Sequence, residues 1–105
     1  MTDDKKPKSL PAPVVITCNL FRLLADHETH GLAPGEIAKA LSIGAPWVSN
    51  NLPPLCELGM VEKVGDTNRW RLGVGFLRIA NSVFVAHVNS KARQDEREAR
   101  MRTAL

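Results

Sequence analysis

The spacing of apolar residues predicts three helices in the first two thirds of the chain. Between about residues 14 and 30, apolar side chains recur with helical spacing: Val15, Ile16, Leu20, Phe21, Leu23 and Leu24. Gly31 then provides a natural C-terminal stop. The segment PGEIAKAL (34–41) predicts a second, shorter helix with Pro34 at its first position. The sequence SIG (42–44) separates it from a third helix, and two short helices joined by a glycine-containing turn predict a helix-turn-helix.

The third helix, within APWVSNNLPPLCEL (45–58), contains two adjacent prolines. A proline inside a helix removes a backbone hydrogen bond and clashes with the preceding turn, at a cost of about 3 kcal/mol. It also disfavours the helical conformation of the residue before it. We therefore expect a short helix over 45–51, a kink, and a second turn that begins near Pro54 and ends at Gly59. Three leucines would still reach the core across the kink: Leu52, Leu55 and Leu58.

A β-hairpin follows the third helix. The segments MVEKV (60–64) and RWRL (69–72) are rich in residues that favour strands, and GDTN (65–68) suits a turn. Strand alternation places Arg69 and Arg71 together on one face. Three helices followed by a hairpin are the order of a winged helix, so the predicted fold class is mainly α with a small β-hairpin.

The last segment, from about residue 74 to residue 102, predicts a long helix whose first half is too apolar for one buried face. Its apolar residues are Phe76, Leu77, Ile79, Ala80, Val83, Phe84, Val85 and Val88. A domain this small cannot cover them all, so we expect the same helix of a twin subunit to do so. The predicted organisation is a flexible arm (1–12), a winged helix-turn-helix domain (13–73), and a dimerisation helix with a polar tail (74–105).

The length and the charge of the chain limit the classes of function that it can have. A chain of 105 residues is long enough for one domain, and its net charge of +3 suggests a nucleic-acid partner. The distribution of charge weakens that inference, because residues 13–73 are nearly neutral. Their five basic residues are Arg22, Lys39, Lys63, Arg69 and Arg71, and their six acidic residues are Asp26, Glu28, Glu36, Glu57, Glu62 and Asp66. The excess positive charge lies at the two ends, where Lys5, Lys6 and Lys8 could attract DNA from the arm.

The chain offers little for catalysis or metal binding. Cys18 and Cys56 are far apart and do not have the spacing of metal ligands, which favours free thiols in a reducing cytoplasm. No nucleophile–base arrangement or phosphate-binding glycine loop is present, so we expect neither an enzyme nor a cofactor. The longest apolar stretch is too short to span a bilayer, and the N-terminus does not have the pattern of a signal peptide.

Several motifs in their order resemble the N-terminal winged-helix domain of the IclR family of bacterial transcriptional regulators. They are the end of the first helix, LLADH…GL, the second helix EIAKAL, the third-helix stripe Val48, Leu52 and Leu55, and the segments ELGMVEK and RWRLG. The resemblance covers roughly residues 15–80 and implies a DNA-binding regulator. It departs from the family in three ways. The effector-binding domain is absent, Ala33 replaces a capping Ser or Thr, and Asn50 stands where the family commonly has a basic residue.

The predicted DNA-binding residues come from the third helix and the hairpin. From the helix they are Pro46, Trp47, Ser49, Asn50 and Asn51, and from the hairpin they are Lys63, Arg69 and Arg71. The first turns of a recognition helix reach base edges, and asparagine pairs well with adenine. The arginines would hold phosphates. All of these types also occur as ordinary capping or solvated surface residues.

Two functional hypotheses follow. The first is a small dimeric repressor that binds double-stranded DNA and acts by occupying its site. The second is a protein-interaction module, an antirepressor or adaptor, that uses Trp47 and the apolar 76–88 surface. The lack of Lys or Arg in the third helix supports the second hypothesis.

Overall fold

A computed structural model describes residues 10–104 of the chain. The protein is mainly helical, with one small antiparallel hairpin and a long C-terminal helix, as the sequence predicts. Its elements are α1 (Ala12–Ala25), α2 (Pro34–Leu41), α3 (Ala45–Glu57), β1 (Val61–Lys63), β2 (Trp70–Leu72) and α4 (Val74–Ala104). Most of the expected arm, including its three lysines, lies outside the described residues, and Ala12 already belongs to α1.

Helix α1 ends earlier than the apolar spacing suggests. It stops at Ala25, and residues 26–30 continue as turns. These five residues are all exposed, so burial of an apolar face no longer supports the helix after Leu24. Gly31 closes the turn with a φ of +69° and donates its N–H to the carbonyl of His27 at 2.8 Å. Glycine therefore ends the turn region that follows α1 and not the helix itself.

Helix α3 is continuous from Ala45 to Glu57, and the prediction of two pieces is wrong. Pro53 and Pro54 both lie on its exposed side, together with Ser49 and Asn50. The carbonyls that lose a helical donor therefore belong to exposed residues, where water can satisfy them. On the opposite side, burial of Val48 (0% exposed) supports the helix across the prolines.

The end of α3 also corrects one expected core contact. Leu52 is buried and Leu55 packs against the core, but Leu58 is 70% exposed. Leu58 is the residue that caps the helix, and the chain reverses at Gly59, where φ is +82°. The backbone therefore turns before the side chain of Leu58 can point inward.

The hairpin forms as predicted and is joined to the segment before α2. Val61 pairs with Leu72, Glu62 with Arg71, and Lys63 with Trp70. A further bridge that the sequence did not indicate connects Leu32 with Trp70 through two backbone hydrogen bonds of 2.9 and 2.8 Å. This bridge fixes the position of the hairpin relative to the helices.

One core unites the helices and the hairpin. Its buried members are Leu20, Leu24, Leu32, Ile37, Ala38, Val48, Leu52, Val61, Trp70 and Leu72. Within it, α2 and α3 pack against each other, and α1 packs on α2 and β2. The sequence stripes of the first three helices supply most of this core.

Helix α4 leaves the core through a joint made of glycines. The carbonyl of Gly59 accepts a hydrogen bond from the N–H of Gly75 at 2.8 Å, and a side chain at Gly73 or Gly75 would collide with that carbonyl. Phe76 then packs edge-to-face on Phe21, with 5.1 Å between the ring centroids. Every residue from 77 to 103 is exposed. Among the described residues, no helix combines the length and the apolar character needed to cross a membrane.

Candidate nucleic-acid interface

The exposed side of α3 carries three of the predicted contact residues. Because Val48 and Leu52 are buried, the helix is anchored along one side. The opposite side of its first turns exposes Pro46, Ser49 and Asn50. No cation lies on this surface, since α3 contains no Lys or Arg. The surface can therefore form neutral hydrogen bonds and apolar contacts but no ion pairs of its own.

Trp47 and Asn51 are partly withdrawn from that surface. Trp47 is half-buried and packs against the core. The side-chain Nδ2 of Asn51 donates to the backbone carbonyl of Trp47 at 2.7 Å, within the helix. Asn51 therefore has a partner inside the fold, and Ser49 and Asn50 are the polar side chains that remain on the exposed side.

The two prolines of α3 remove backbone hydrogen-bond donors next to the same exposed surface. In an α-helix, the carbonyl of Asn50 would accept from the N–H of residue 54, or from residue 53 in a tighter turn. Both positions are proline, which has no N–H. The Asn50 carbonyl therefore lacks its usual helical donor, and it belongs to an exposed residue. This acceptor can bind water or an incoming N–H donor.

Arg69 holds the hairpin against the entrance to α2. Its Nε donates to the carbonyl of His30 at 3.0 Å, and one terminal nitrogen donates to the carbonyl of Gly31 at 3.0 Å. The same nitrogen lies 3.3 Å from a carboxylate oxygen of Glu36. That oxygen also accepts the N–H of Ala33 at 2.9 Å, which replaces part of the missing N-terminal cap of α2. Arg69 is thus a structural link in addition to a predicted phosphate contact.

The other two predicted cations of the hairpin also have partners. Arg71 donates from Nε to Glu62 at 3.0 Å, directly across the strand pair, and both side chains are 33% exposed. The ammonium of Lys63 lies 5.5 Å from the centroid of the Trp70 ring, in a cation–π arrangement. Pairing with Glu36 and Glu62 reduces the net positive potential that the hairpin presents to a phosphate backbone.

Lys39 is a further candidate contact, which was not among the DNA-binding residues predicted from the sequence. It is exposed on α2, the helix that packs directly against α3. In helix-turn-helix proteins, the helix before the recognition helix crosses the DNA backbone. The sequence pattern could have predicted the exposure of Lys39, because Ile37 and Ala38 face inward and the helical period then turns Lys39 outward.

The predicted dimer residues fall into two groups. Phe76 is half-buried and packs on Phe21 of its own subunit. The others are exposed along α4: Leu77, Ile79, Ala80, Val83, Phe84 and Val88. The structure therefore places Phe76 in the joint of α4, and it leaves the following residues without a partner within the described part of the subunit.

Within residues 10–104, no group of three His, Cys, Asp or Glu side chains is arranged to hold a metal ion. Cys18 and Cys56 are both free and exposed. In comparisons with known proteins, the chain matches no protein-family model, and no curated protein has a similar sequence.

Proposed function

We propose that the protein is a sequence-specific DNA-binding regulator of the winged helix-turn-helix class. In this proposal α2 and α3 form the helix-turn-helix, α3 enters the major groove, and the hairpin is the wing. The observation that supports it best is the two-sided character of α3. Burial of Val48 and Leu52 fixes the helix, while Ser49 and Asn50 remain exposed on its first turns.

The chemistry of the exposed side favours A·T-containing sites. An asparagine amide can accept from N6 of adenine and donate to N7 in one planar pair, and a serine hydroxyl can bond several base edges. The ring of Pro46 supplies an apolar surface that suits the methyl group of thymine. Guanine is most often bound by Arg or Lys, and α3 has neither.

Affinity per subunit is expected to be modest. Each phosphate that a protein neutralises contributes to binding and to its salt dependence. Since Arg69 and Arg71 already pair with carboxylates, few cations of the described domain are free to contribute. We therefore propose that the regulator acts as a homodimer, which places two α3 helices on one duplex, and that it represses by occupying its site.

Selection from random duplex DNA tests the proposal directly. The purified protein is used at low salt to enrich a random pool, in parallel with a Ser49→Ala, Asn50→Ala double variant. An Asn89→Ala variant is the matched control, because Asn89 is an exposed asparagine on α4. The expected result is a two-fold symmetric, A·T-containing site that the wild type and the control select and the double variant does not. Failure of the wild type to enrich any site contradicts the proposal.

A second candidate function is binding of another protein instead of DNA. The observation that favours it is the pairing of all three predicted hairpin cations within the fold: Lys63, Arg69 and Arg71. Under this alternative, Trp47 and the apolar start of α4 contact the partner. A wild-type protein that binds no duplex at low salt, yet is correctly folded by circular dichroism, is the result this alternative predicts.

A further inference from the structure

The exposed apolar surface of the described chain is concentrated at two places. Twelve large apolar residues are exposed, and all of them except Leu58 lie on α4 or at and just before the start of α1. At and just before the start of α1 they are Leu10, Val14 and Val15, and on α4 they are Val74, Leu77, Ile79, Val83, Phe84, Val85, Val88 and Met101. A contiguous apolar patch of this kind marks an interaction surface.

On α4 the apolar residues form two seams instead of one. At 3.6 residues per turn, Leu77, Phe84 and Val88 fall along one side of the helix, which we call the first seam. Ile79 and Val83 fall along a second seam, roughly 140° away around the helix axis. One packed helix covers a stripe about 100° wide. Two seams this far apart therefore require two partner helices.

The exposed face of α1 is continuous with the base of α4. Val14 and Cys18 are exposed and, four residues apart, lie on the same side of α1. Phe21 follows at the edge of this face and contacts Phe76, which lies three residues before Ile79 and seven before Val83 and so continues the second seam toward α1. The α1 face and the start of α4 therefore form one apolar corner, into which another helix can pack.

We propose that a second copy of this chain occupies this corner, so that α4 of each subunit packs on both α4 and α1 of the other. A two-fold axis then supplies two apolar helices to each α4, one for each seam. This inference deepens the homodimer part of the proposed function. It adds the start of α1 to the interface predicted for α4.

The exposed area matches what a stable dimer requires. A buried aliphatic side chain corresponds to roughly 60 to 120 Å² of apolar surface, so eleven such residues, each about half exposed, offer on the order of 500 Å². Homodimer interfaces are about 65% apolar, which implies a total near 800 Å² per subunit. That value is about the standard size of a specific protein interface.

The polar half of α4 does not oppose this pairing. Continuing along the side of the first seam, the helix carries Lys91, Asp95, Glu98 and Arg102. These four residues have two charges of each sign, so the seam has no net charge beyond Val88. Two copies that extend side by side there bring no net charge together.

Sedimentation equilibrium of the full chain without DNA tests the inference. Phe84→Glu and Val14→Glu each place a charge in one of the two proposed contacts, and Leu58→Glu is the control at a similarly exposed apolar position outside them (64% exposed for Phe84 and 70% for Leu58). The wild type and the control are expected to be dimers. Phe84→Glu and Val14→Glu are expected to weaken dimerisation on the order of 100-fold or more. All variants should keep the wild-type circular dichroism of the domain, because the substituted residues are exposed within one subunit.

Three results would overturn the inference: a monomeric wild type, a control that dissociates as readily as Phe84→Glu, or a Val14→Glu protein that dimerises normally. The last result removes α1 from the interface. A cross-linking experiment adds a positive readout in a Cys56→Ser background. Native Cys18 is expected to be joined to Val83→Cys of the other subunit by a short bismaleimide, and the Met101→Cys protein should not form that link. Because DNA is absent, these outcomes are independent of whether the protein binds DNA.

Discussion

Arg69 joins the hairpin to the loop before α2, since its Nε donates to the carbonyl of His30 at 3.0 Å, across 39 positions of the chain. From the sequence, we expected this arginine to be available for phosphate. In the structure it also completes the N-terminal end of α2 through Glu36. A substitution of Arg69 that abolishes DNA binding would therefore be ambiguous, and its effect on stability has to be measured first.

Arg69→Ala is expected to lower the free energy of unfolding by about 1 to 2 kcal/mol. The substitution removes two charge-assisted hydrogen bonds to backbone carbonyls, while the ion pair with Glu36 adds little because both side chains are well exposed (39% and 52%). Urea denaturation measures the change. Arg93→Ala, at an exposed position of α4, serves as the control and should stay within about 0.5 kcal/mol of the wild type. Equal stability of the two variants would show that the Arg69 contacts contribute nothing.

Replacing the interior prolines of α3 is expected to stabilise the protein. Pro53→Ala and Pro54→Ala each restore an N–H donor and remove a clash with the preceding turn. The loss of proline rigidity in the unfolded chain offsets part of this gain, leaving about 1 to 2 kcal/mol per substitution. Pro46→Ala is the matched control, because Pro46 lies at the start of the same helix, where no donor is lost. Thermal unfolding should therefore shift upward for the two interior variants only, and a decrease would contradict this explanation of the continuous helix.

Gly75→Ala is expected to destabilise the joint of α4 by about 2 kcal/mol. The added Cβ would lie 2.8 Å from the carbonyl oxygen of Gly59, which cannot move without losing its hydrogen bond to residue 75. Gly35→Ala provides the opposite case, because a Cβ there meets nothing within 4 Å. Since Gly35 lies within α2, its replacement should stabilise the protein by about 0.5 to 1 kcal/mol. Chemical denaturation of both variants should give changes of opposite sign.

If α2 crosses the DNA backbone, Lys39→Ala should weaken binding to all duplexes uniformly. The expected signature is a decrease of about one in the slope of log affinity against log salt concentration, without a change in the preferred site. Arg93→Ala is the control, since Arg93 is exposed on the polar half of α4 and outside both seams. Fluorescence anisotropy at several salt concentrations measures the slope. An unchanged slope would exclude Lys39 as a phosphate contact.

The sequence predicted the elements that local pattern determines. The bounds of α2 follow from apolar spacing, and the hairpin follows from strand-forming residues around a turn; both agree with the structure. The continuity of α3 could not be predicted in this way. A proline's cost depends on whether the carbonyl it leaves unpaired faces water or the core, and that is settled only when Val48 and Leu52 are buried.

For the candidate site, too, the local sequence pattern predicted the exposure of side chains but not their tertiary contacts. The exposure of Ser49 and Asn50 follows from their positions on the outer side of α3, and helical spacing indicated it. The partners of Arg69 could not be predicted from the sequence, because His30, Gly31 and Glu36 come near it only through tertiary packing. Alternation predicted that the two arginines share one face of the hairpin, but Arg69 lies just before β2. Alternation carried no information about which acceptors meet them.

Because α4 is long and is held only at its glycine joint, a small rotation at the joint moves the far end of the helix by a large distance. A helix of 31 residues is roughly 46 Å long at 1.5 Å per residue, and the contacts that orient it are at its first three positions. A rotation of about 5° at Gly75 therefore displaces its far end by about 4 Å, close to the width of one side chain. Small changes at the carbonyl of Gly59 are thus magnified along the helix. The direction of α4 depends on the absence of side chains at Gly73 and Gly75 and on the positive φ of Gly59.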